Sequence, residues 1–396
     1  MRVLVVVPWE PWRLADGVVL PLHHHLHALA GRHQLTVLAS GSRVRGELQV
    51  TGPERTLPDG VRCRAFGTKR PPALDYLLRR GRSALRREPA HVFYVERPAL
   101  LAALADEVPR HDVLHLVGWG TAQLATRYAD VPSVHVAVDP WEPSWNNRRY
   151  GPVRRLADAG QRSQVARHEA RHYPHATAVV VVAEADADLL RQRIPTARFA
   201  VVPNGVVPGP EPTPLPATDV LGFHGAFETQ ANVDGARALV ERVWPRVRER
   251  LPGCTVLLAG RDPSREVLDL AAQPGVELRA DVPDMRGELD RMAVHVAWMP
   301  SGLGQKNKVL EAMAAGRPVV ANARGASGIG AGDGLLVAED DAAAADLVVA
   351  LLADRARAEQ VGRAGRDRVV REFGWAASAQ RMERLWEQAV AGEATP

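Results

Sequence analysis

At 396 residues the chain is longer than one hydrophobic core usually organises, so two domains of roughly 150 to 200 residues each are expected. Hydrophobic residues at 46% and charged residues at 24% exclude a disordered chain, and a formal net charge of only +4 excludes a broad nucleic-acid footprint. Two widely separated cysteines, Cys63 and Cys254, give neither a disulfide framework nor a zinc-ligand spacing, and no apolar run reaches bilayer length.

The chain opens with a nearly unbroken apolar run, Arg2 to Val7, ending at Pro8, as for a strand buried on both faces of a parallel sheet. The run is too short for the core of a signal peptide, and a cytoplasmic location is expected. After the loop PWEPWRLADG, Val19, Leu22, Leu26 and Leu29 fall at helical spacing, and QLTVLAS follows as a second strand. The three histidines at 23–25 lie on that helix, where adjacent side chains diverge and cannot share one ion. Arg79, Arg80, Arg82, Arg86 and Arg87 form a charge run that reads as a solvated helix face, with weak membrane-surface contact as the lesser expectation. Strands at 112–119, 133–139, 178–183 and 198–203, separated by helix-compatible sequence, make the first half doubly wound α/β. Asp186 and Asp188 open a helix after AVVVVA, where carboxylates suit the N-terminal dipole, and no metal is assigned to them.

Between Asn204 and Thr218 five prolines fall in fifteen residues, which suits a stiff, exposed connection. The expected organisation is therefore an N-terminal domain over 1–204, a linker over 205–218 and a C-terminal domain over 219–375. In the latter, DVLGFHG, TVLLAG, VELRA, HVAWM, PVVAN and LLVA read as strands. The fold expected is α/β, two doubly wound Rossmann-like domains facing across a cleft, with ligands beyond the carboxyl ends of the strands.

The loops after those strands carry the chemistry. In PSGLGQKNKVLEAMAAGRPVV, Ser301, Gly302 and Gly304 permit a tight turn, and a helix starting near Asn307 would aim amide donors at a diphosphate. Lys306 and Lys308 would offset its charge, and Glu311 would accept hydrogen bonds from sugar hydroxyls. Gly225 and Arg261 stand on the two neighbouring loops, and the Arg261 guanidinium could clamp a diphosphate. In the first half, Trp9, Trp12, Trp119, Trp141 and Trp145, five of the nine tryptophans, lie in loops after strands. Their faces suit stacking on an acceptor, with core or hinge packing as the other reading. His115 and Asp139, at the ends of expected strands, are candidate positioners of the acceptor.

The string NKVLEAMA followed by G-x-PVV resembles glycosyltransferase family 4, the retaining GT-B enzymes, and within it a bacterial subgroup. VPNGV at 202–206, GAFETQANVDGA at 225–236, WPRVRERLPGCTVLLAGRDP at 244–263, GVELRADVPDM at 275–285 and FGW at 373–375 extend the resemblance over nearly the whole chain. It implies transfer of a sugar of hexosyl type from a nucleotide-diphosphate donor, with retention, to a hydroxyl of a glycan, a lipid-linked or a small-molecule acceptor. Polysaccharide or natural-product biosynthesis is the implied setting. Neither a metal nor another cofactor is implied, and no nucleic-acid partner. The last helix, about 376–392, would return to the first domain. Glu311 matches the second glutamate of the family's E-x7-E pattern, and Leu303 stands where the first would fall. Gly304, Asn307 and Lys308 match donor-site positions, as does Gly17 in the first half, and with Gly225, Gly302 and Arg261 they make the expected donor set. Lys308, Glu311, Arg261 and Asp139 are the residues expected to carry catalysis. Two alternatives stand beside this reading. A non-hydrolysing nucleotide-sugar epimerase would need an acid and base set that is not evident, and a catalytically silent nucleotide-sugar-binding module is motivated by Leu303.

Overall fold

Strand-forming runs of β-branched and aliphatic residues organise two parallel sheets, one in each of two units of the chain. In the computed structural model residues 1–8, 19–40, 55–56, 59–66, 72–137 and 163–393 are described. Unit 1 comprises Met1–Val202 and Ser378–Pro396, and unit 2 comprises Pro203–Ala377.

Unit 1 contains β1 (Arg2–Val7), β2 (Gln34–Ala39), β3 (Arg55–Thr56), β4 (Arg62–Ala65), β5 (Val113–Val117), β6 (Ser133–Val136), β7 (Ala178–Val181) and β8 (Phe199–Val201). They form one sheet in the order β3-β4-β2-β1-β5-β6-β7-β8, parallel except for β3. Val3 to Val7 of β1 are fully buried, because helices cover both faces of a parallel sheet and no side chain of a central strand reaches water. The helix Trp375–Ala391 supplies part of one face: Ala379, Met382, Leu385, Trp386 and Ala389 pack with Leu22, Leu26 and Leu29 of the helix Val19–Leu29. Polar contacts fix its register. Glu383 accepts from His33 Nε2 at 2.6 Å and pairs with Arg32 at 2.6 Å, and His25 Nε2 lies 2.9 Å from Ser378 Oγ. His25 thus faces inward while its neighbours His23 and His24 are only half-buried.

Unit 2 contains β9 (Val220–His224), β10 (Thr255–Gly260), β11 (Val276–Ala280), β12 (Val294–Ala297), β13 (Val319–Ala321) and β14 (Leu335–Val337), all parallel, in the order β11-β10-β9-β12-β13-β14. In both sheets the order of parallel strands reverses direction at the first strand, between β1 and β5 in unit 1 and between β9 and β12 in unit 2. Among the described residues no helix is long and apolar enough to cross a membrane.

The proline-rich stretch expected as an exposed linker runs along unit 2 with most of its residues exposed. Val206 N donates to Phe373 O at 2.8 Å. Thereafter arginines take the carbonyls in pairs: Arg366 those of Pro208 (2.8 Å) and Gly209 (3.2 Å), Arg355 those of Pro216 (2.8 Å) and Ala217 (3.1 Å). Arg286 makes longer contacts of 3.4 Å to Pro210 and Glu211, and Arg317 donates to Thr213 and, at 3.5 Å, to Pro214. A proline has no N–H to enter a ladder but keeps its carbonyl, and a guanidinium with five donors satisfies two such carbonyls at once.

Arg317 is fully buried, and burial lowers its affinity for the proton. Its guanidinium also donates to Ala315 O at 3.2 Å, so its removal leaves several carbonyls in the interior without a donor. Arg317→Met should destabilise the protein by about 3 kcal/mol in urea unfolding, the cost of such orphaned acceptors. A loss below about 0.5 kcal/mol, the range of ordinary surface changes, would mean that the strap does not depend on it.

Candidate active site

The crevice at the reversal point of unit 2 is bounded by the segments after β9, β10 and β12. The first two of these touch. Gly225 N donates to Ala259 O at 3.0 Å and Phe227 N to Arg261 O at 2.9 Å. A Cβ at Gly260 would stand 1.8 Å from Gly225 O, so position 260 admits only glycine. Arg261 projects half-exposed from this pair of loops with Glu228 3.7 Å away.

The third segment, after β12, is held rigid from within. Gly302 and Gly304 adopt φ of +100° and +72°, conformations that cost other residues strain. Ser301 Oγ donates to Asp234 Oδ2 at 3.0 Å, and Gln305 joins Asn204 N at 2.6 Å to Gly328 O at 3.3 Å. The Lys306 ammonium is buried and donates to Leu303 O at 2.6 Å and Gly304 O at 3.0 Å. Lys306 therefore braces the turn rather than facing the crevice, contrary to the sequence reading. The helix Asn307–Ala314 starts here with no side chain capping its first turn, and Asn307 Oδ1 accepts from Asn204 Nδ2 at 3.1 Å.

On the first turns of that helix Lys308 and Glu311 stand three residues apart and share a face. Lys308 Nζ donates to Asn232 Oδ1 at 2.6 Å and sits 4.0 Å from the centroid of the Phe223 ring. A Cβ at Gly225 would come within 2.9 Å of that nitrogen, which places Gly225 and Lys308 side by side. Burial first, and the charge of Lys306 second, lower the Lys308 pKa to about 7, against a raising effect of Glu311.

Glu311 Oε2 is 2.8 Å from His224 Nε2, and His224 Nδ1 is 3.1 Å from His295 Nε2. His224 Nε2 can thus donate to the carboxylate while its Nδ1 shares a hydrogen bond with His295. His295 is completely buried, and burial, His224 and Lys308 hold its pKa well below the ordinary value. Burial raises the Glu311 pKa, but the hydrogen bond from His224 and the nearby positive charge outweigh it, so the carboxyl stays below its usual range. The result is a fixed carboxylate beside a cation whose charge is marginal until an anion arrives.

Two family models match the sequence: one described as Glycosyltransferase Family 4 over residues 15–209, and one described as Glycosyl transferases group 1 over residues 218–354. The chain is a family 4-like glycosyltransferase of the GT-B type. No curated protein matches it by sequence. Among solved structures, sucrose-phosphate synthase from Thermosynechococcus elongatus is 19% identical over 99% of this chain and 100% of its own, with a TM-score of 0.69. OtsA in its apo form is 13% identical over 98% and 99%, TM-score 0.64. HepE of Anabaena, solved with UDP and glucose, is 12% identical over 97% and 99%, TM-score 0.63. At such identities the likeness establishes the GT-B fold.

In this glycosyltransferase the structure gathers Gly225, Gly302, Gly304, Asn307, Lys308 and Glu311 around one reversal point, with Arg261 on the adjoining loop. It adds Phe223, His224 and Asn232, to which the motifs FHGAFE and GAFETQANVDGA assign no role by themselves. At the reversal point of unit 1, Trp119 begins a short turn after β5 and is half-buried. His115 is not an acceptor contact: it lies within β5, almost fully buried, and accepts from Trp386 Nε1 at 3.2 Å. Burial, with His25 and His135 nearby, lowers its pKa to about 3, so it is a neutral core residue. Trp9, Trp12, Gly17, Asp139, Trp141 and Trp145 lie outside the described residues. The arginine run is largely engaged within unit 1, with Arg82 and Arg86 each 3.1 Å from Glu96 and Arg79 over the Tyr94 ring.

The lowered Lys308 pKa has a measurable sign. Its folded value, about 7, lies below its ordinary value of 10.5, so between these limits the unfolded chain binds the proton that the folded chain has released. Stability contributed at this position therefore rises with pH across that window. Urea unfolding should show Lys308→Met gaining stability relative to wild type at about pH 7, with the gap shrinking by about pH 9.5. A gap that stays constant over this range would mean that Lys308 remains charged in the folded protein.

Proposed function

We propose that unit 2 binds a nucleotide-diphosphate sugar and that the enzyme transfers the sugar, of hexosyl type, to an acceptor hydroxyl with retention of configuration. The observation that carries this reading is the pairing of Lys308 and Glu311 on the uncapped first turns of the helix Asn307–Ala314, at the reversal point of a parallel sheet. Unpaired amides at a helix start and a neighbouring ammonium suit a diphosphate. Glu311, oriented by His224, suits sugar or ribose hydroxyls. Gly225, Gly302 and Gly304 would let backbone approach the phosphates, Asn307 would help seat the first turn, and Arg261 could fold inward as a second cation. The UDP and glucose bound by HepE support the donor class.

In the reaction the bond from the anomeric carbon to the diphosphate oxygen breaks and the bond to the acceptor oxygen forms on the same face. The acceptor proton passes to the departing phosphate oxygen, so the protein need not supply a base. Lys308 and Arg261 stabilise the negative charge that accumulates on the leaving group, where fixed charge acts most strongly. Acceptor binding is assigned to unit 1, with Trp119, Trp9, Trp12 and Trp141 as stacking faces and Asp139 as a positioner.

Isothermal titration with nucleoside diphosphates should find Lys308→Ala and Arg261→Ala each weaker by about 1 to 3 kcal/mol, the range for a lost charge-assisted bond. Unchanged affinity in both would place the diphosphate elsewhere. Proton NMR of the isolated glycoside should show the donor's anomeric configuration retained; an inverted product would overturn the mechanism.

A further inference from the structure

Unit 1 holds a cluster of ligating side chains that sugar transfer leaves unused. Glu88 comes just after the helix Pro72–Arg86, whereas His168 and His172 lie one turn apart on the helix over 163–172 and project from one face. One ligand atom from each of the three lies within 4.8 Å of the other two. Glu88 Oε2 is 2.8 Å from His168 Nδ1, and Arg171 approaches only the other oxygen, Oε1, at 3.9 Å. Both imidazoles are buried, with ring centroids 4.4 Å apart.

A lone ion pair would account for Glu88 and His168. It does not account for a second imidazole packed against the first. His172 is also held from behind, because Thr126 Oγ1 lies 2.7 Å from its Nδ1 and leaves Nε2 as the outward ligand atom. Metal-bound histidines are commonly oriented in this way through the ring nitrogen that does not ligate. The buried Nε2 of His168 has no hydrogen-bond partner among the described residues.

We propose that Glu88, His168 and His172 form a site for a zinc-class divalent transition metal, which staples the segment after the helix Pro72–Arg86 to the helix bearing the histidines. Two imidazole nitrogens and one carboxylate oxygen match zinc, with water in the fourth position, whereas magnesium and calcium favour oxygen ligands. Tetrahedral coordination sets ligand atoms roughly 3.3 Å apart, so the three need only small side-chain rotations. In sequence His168 and His172 stand four residues apart, but Glu88, which completes the site, lies 80 residues from His168.

Metal-free full-length protein titrated with zinc chloride should bind one equivalent in calorimetry and melt at a higher temperature. Cobalt chloride should give the visible absorption of a low-coordinate site. Glu88→Gln and His172→Gln, checked for native circular dichroism, should each weaken binding at least about tenfold. The double variant His23→Ala/His27→Ala, which removes a pair of imidazoles in edge-to-face contact elsewhere in unit 1, should bind as wild type does. If His172→Gln does not fold, Glu88→Gln at its half-exposed position decides alone. Absence of stoichiometric binding by the folded wild type, wild-type affinity in the Glu88 variant, or loss confined to the His23/His27 variant would each overturn the assignment.

Discussion

A parallel sheet cannot place all its crossovers on one side without exposing the other, and where strand order reverses two successive loops are forced apart. That constraint governs this protein. In unit 2 it separates the loop after β9 from the loop after β12, and Gly225 and Lys308 meet in the resulting crevice. The chemistry of Lys308 derives from the same geometry. Its position above Phe223 and beside Asn232 withdraws it from water, which makes its proton easy to lose and an anion welcome. Behind it the imidazoles of His224 and His295 connect two adjacent strands, so the Glu311 carboxylate is anchored to the sheet as well as to its helix.

The strap over 203–217 shows a second use of positive charge. Arginines of unit 2 that might be counted as a basic surface are instead spent on proline-segment carbonyls. Arg286, Arg317, Arg355 and Arg366 come from four separate places in the sequence and arrive at one stretch of backbone. An arginine count from composition therefore overstates how many guanidinium donors stand open to an anionic partner.

The sheets were legible because buried parallel strands leave near-continuous apolar runs. HVAWM and LLVA match β12 and β14 to within a residue or two. The edge strand β3 and its neighbour β4 were not legible: Arg55–Thr56 is two residues long, and β4 reads RCRA, with arginine where a core strand would carry an aliphatic side chain. The helical path after β9 passes through a π-helical stretch, Leu239–Val243, just before Pro245, which cannot donate to the helical ladder. In the site, Lys308 and Glu311 were legible because they share one short motif. His224 and His295 were not, because their partners lie 87 and 71 residues away and a histidine in a strand carries no local signature. His115 misled for the converse reason, since nothing near it in sequence announces Trp386.

Unit 2 begins and ends at neighbouring points: Val206 bridges Gly374, and Gly205 packs against the backbone of Trp375. It is thus an insertion into unit 1, whose last segment, Ser378–Pro396, is synthesised after it. On the ribosome, unit 1 would wait with the hydrophobic seat of Trp386 uncovered until the entire insert had emerged. The insert, closed at its own base, needs no such delay, so the later-encoded unit is the one equipped to mature first.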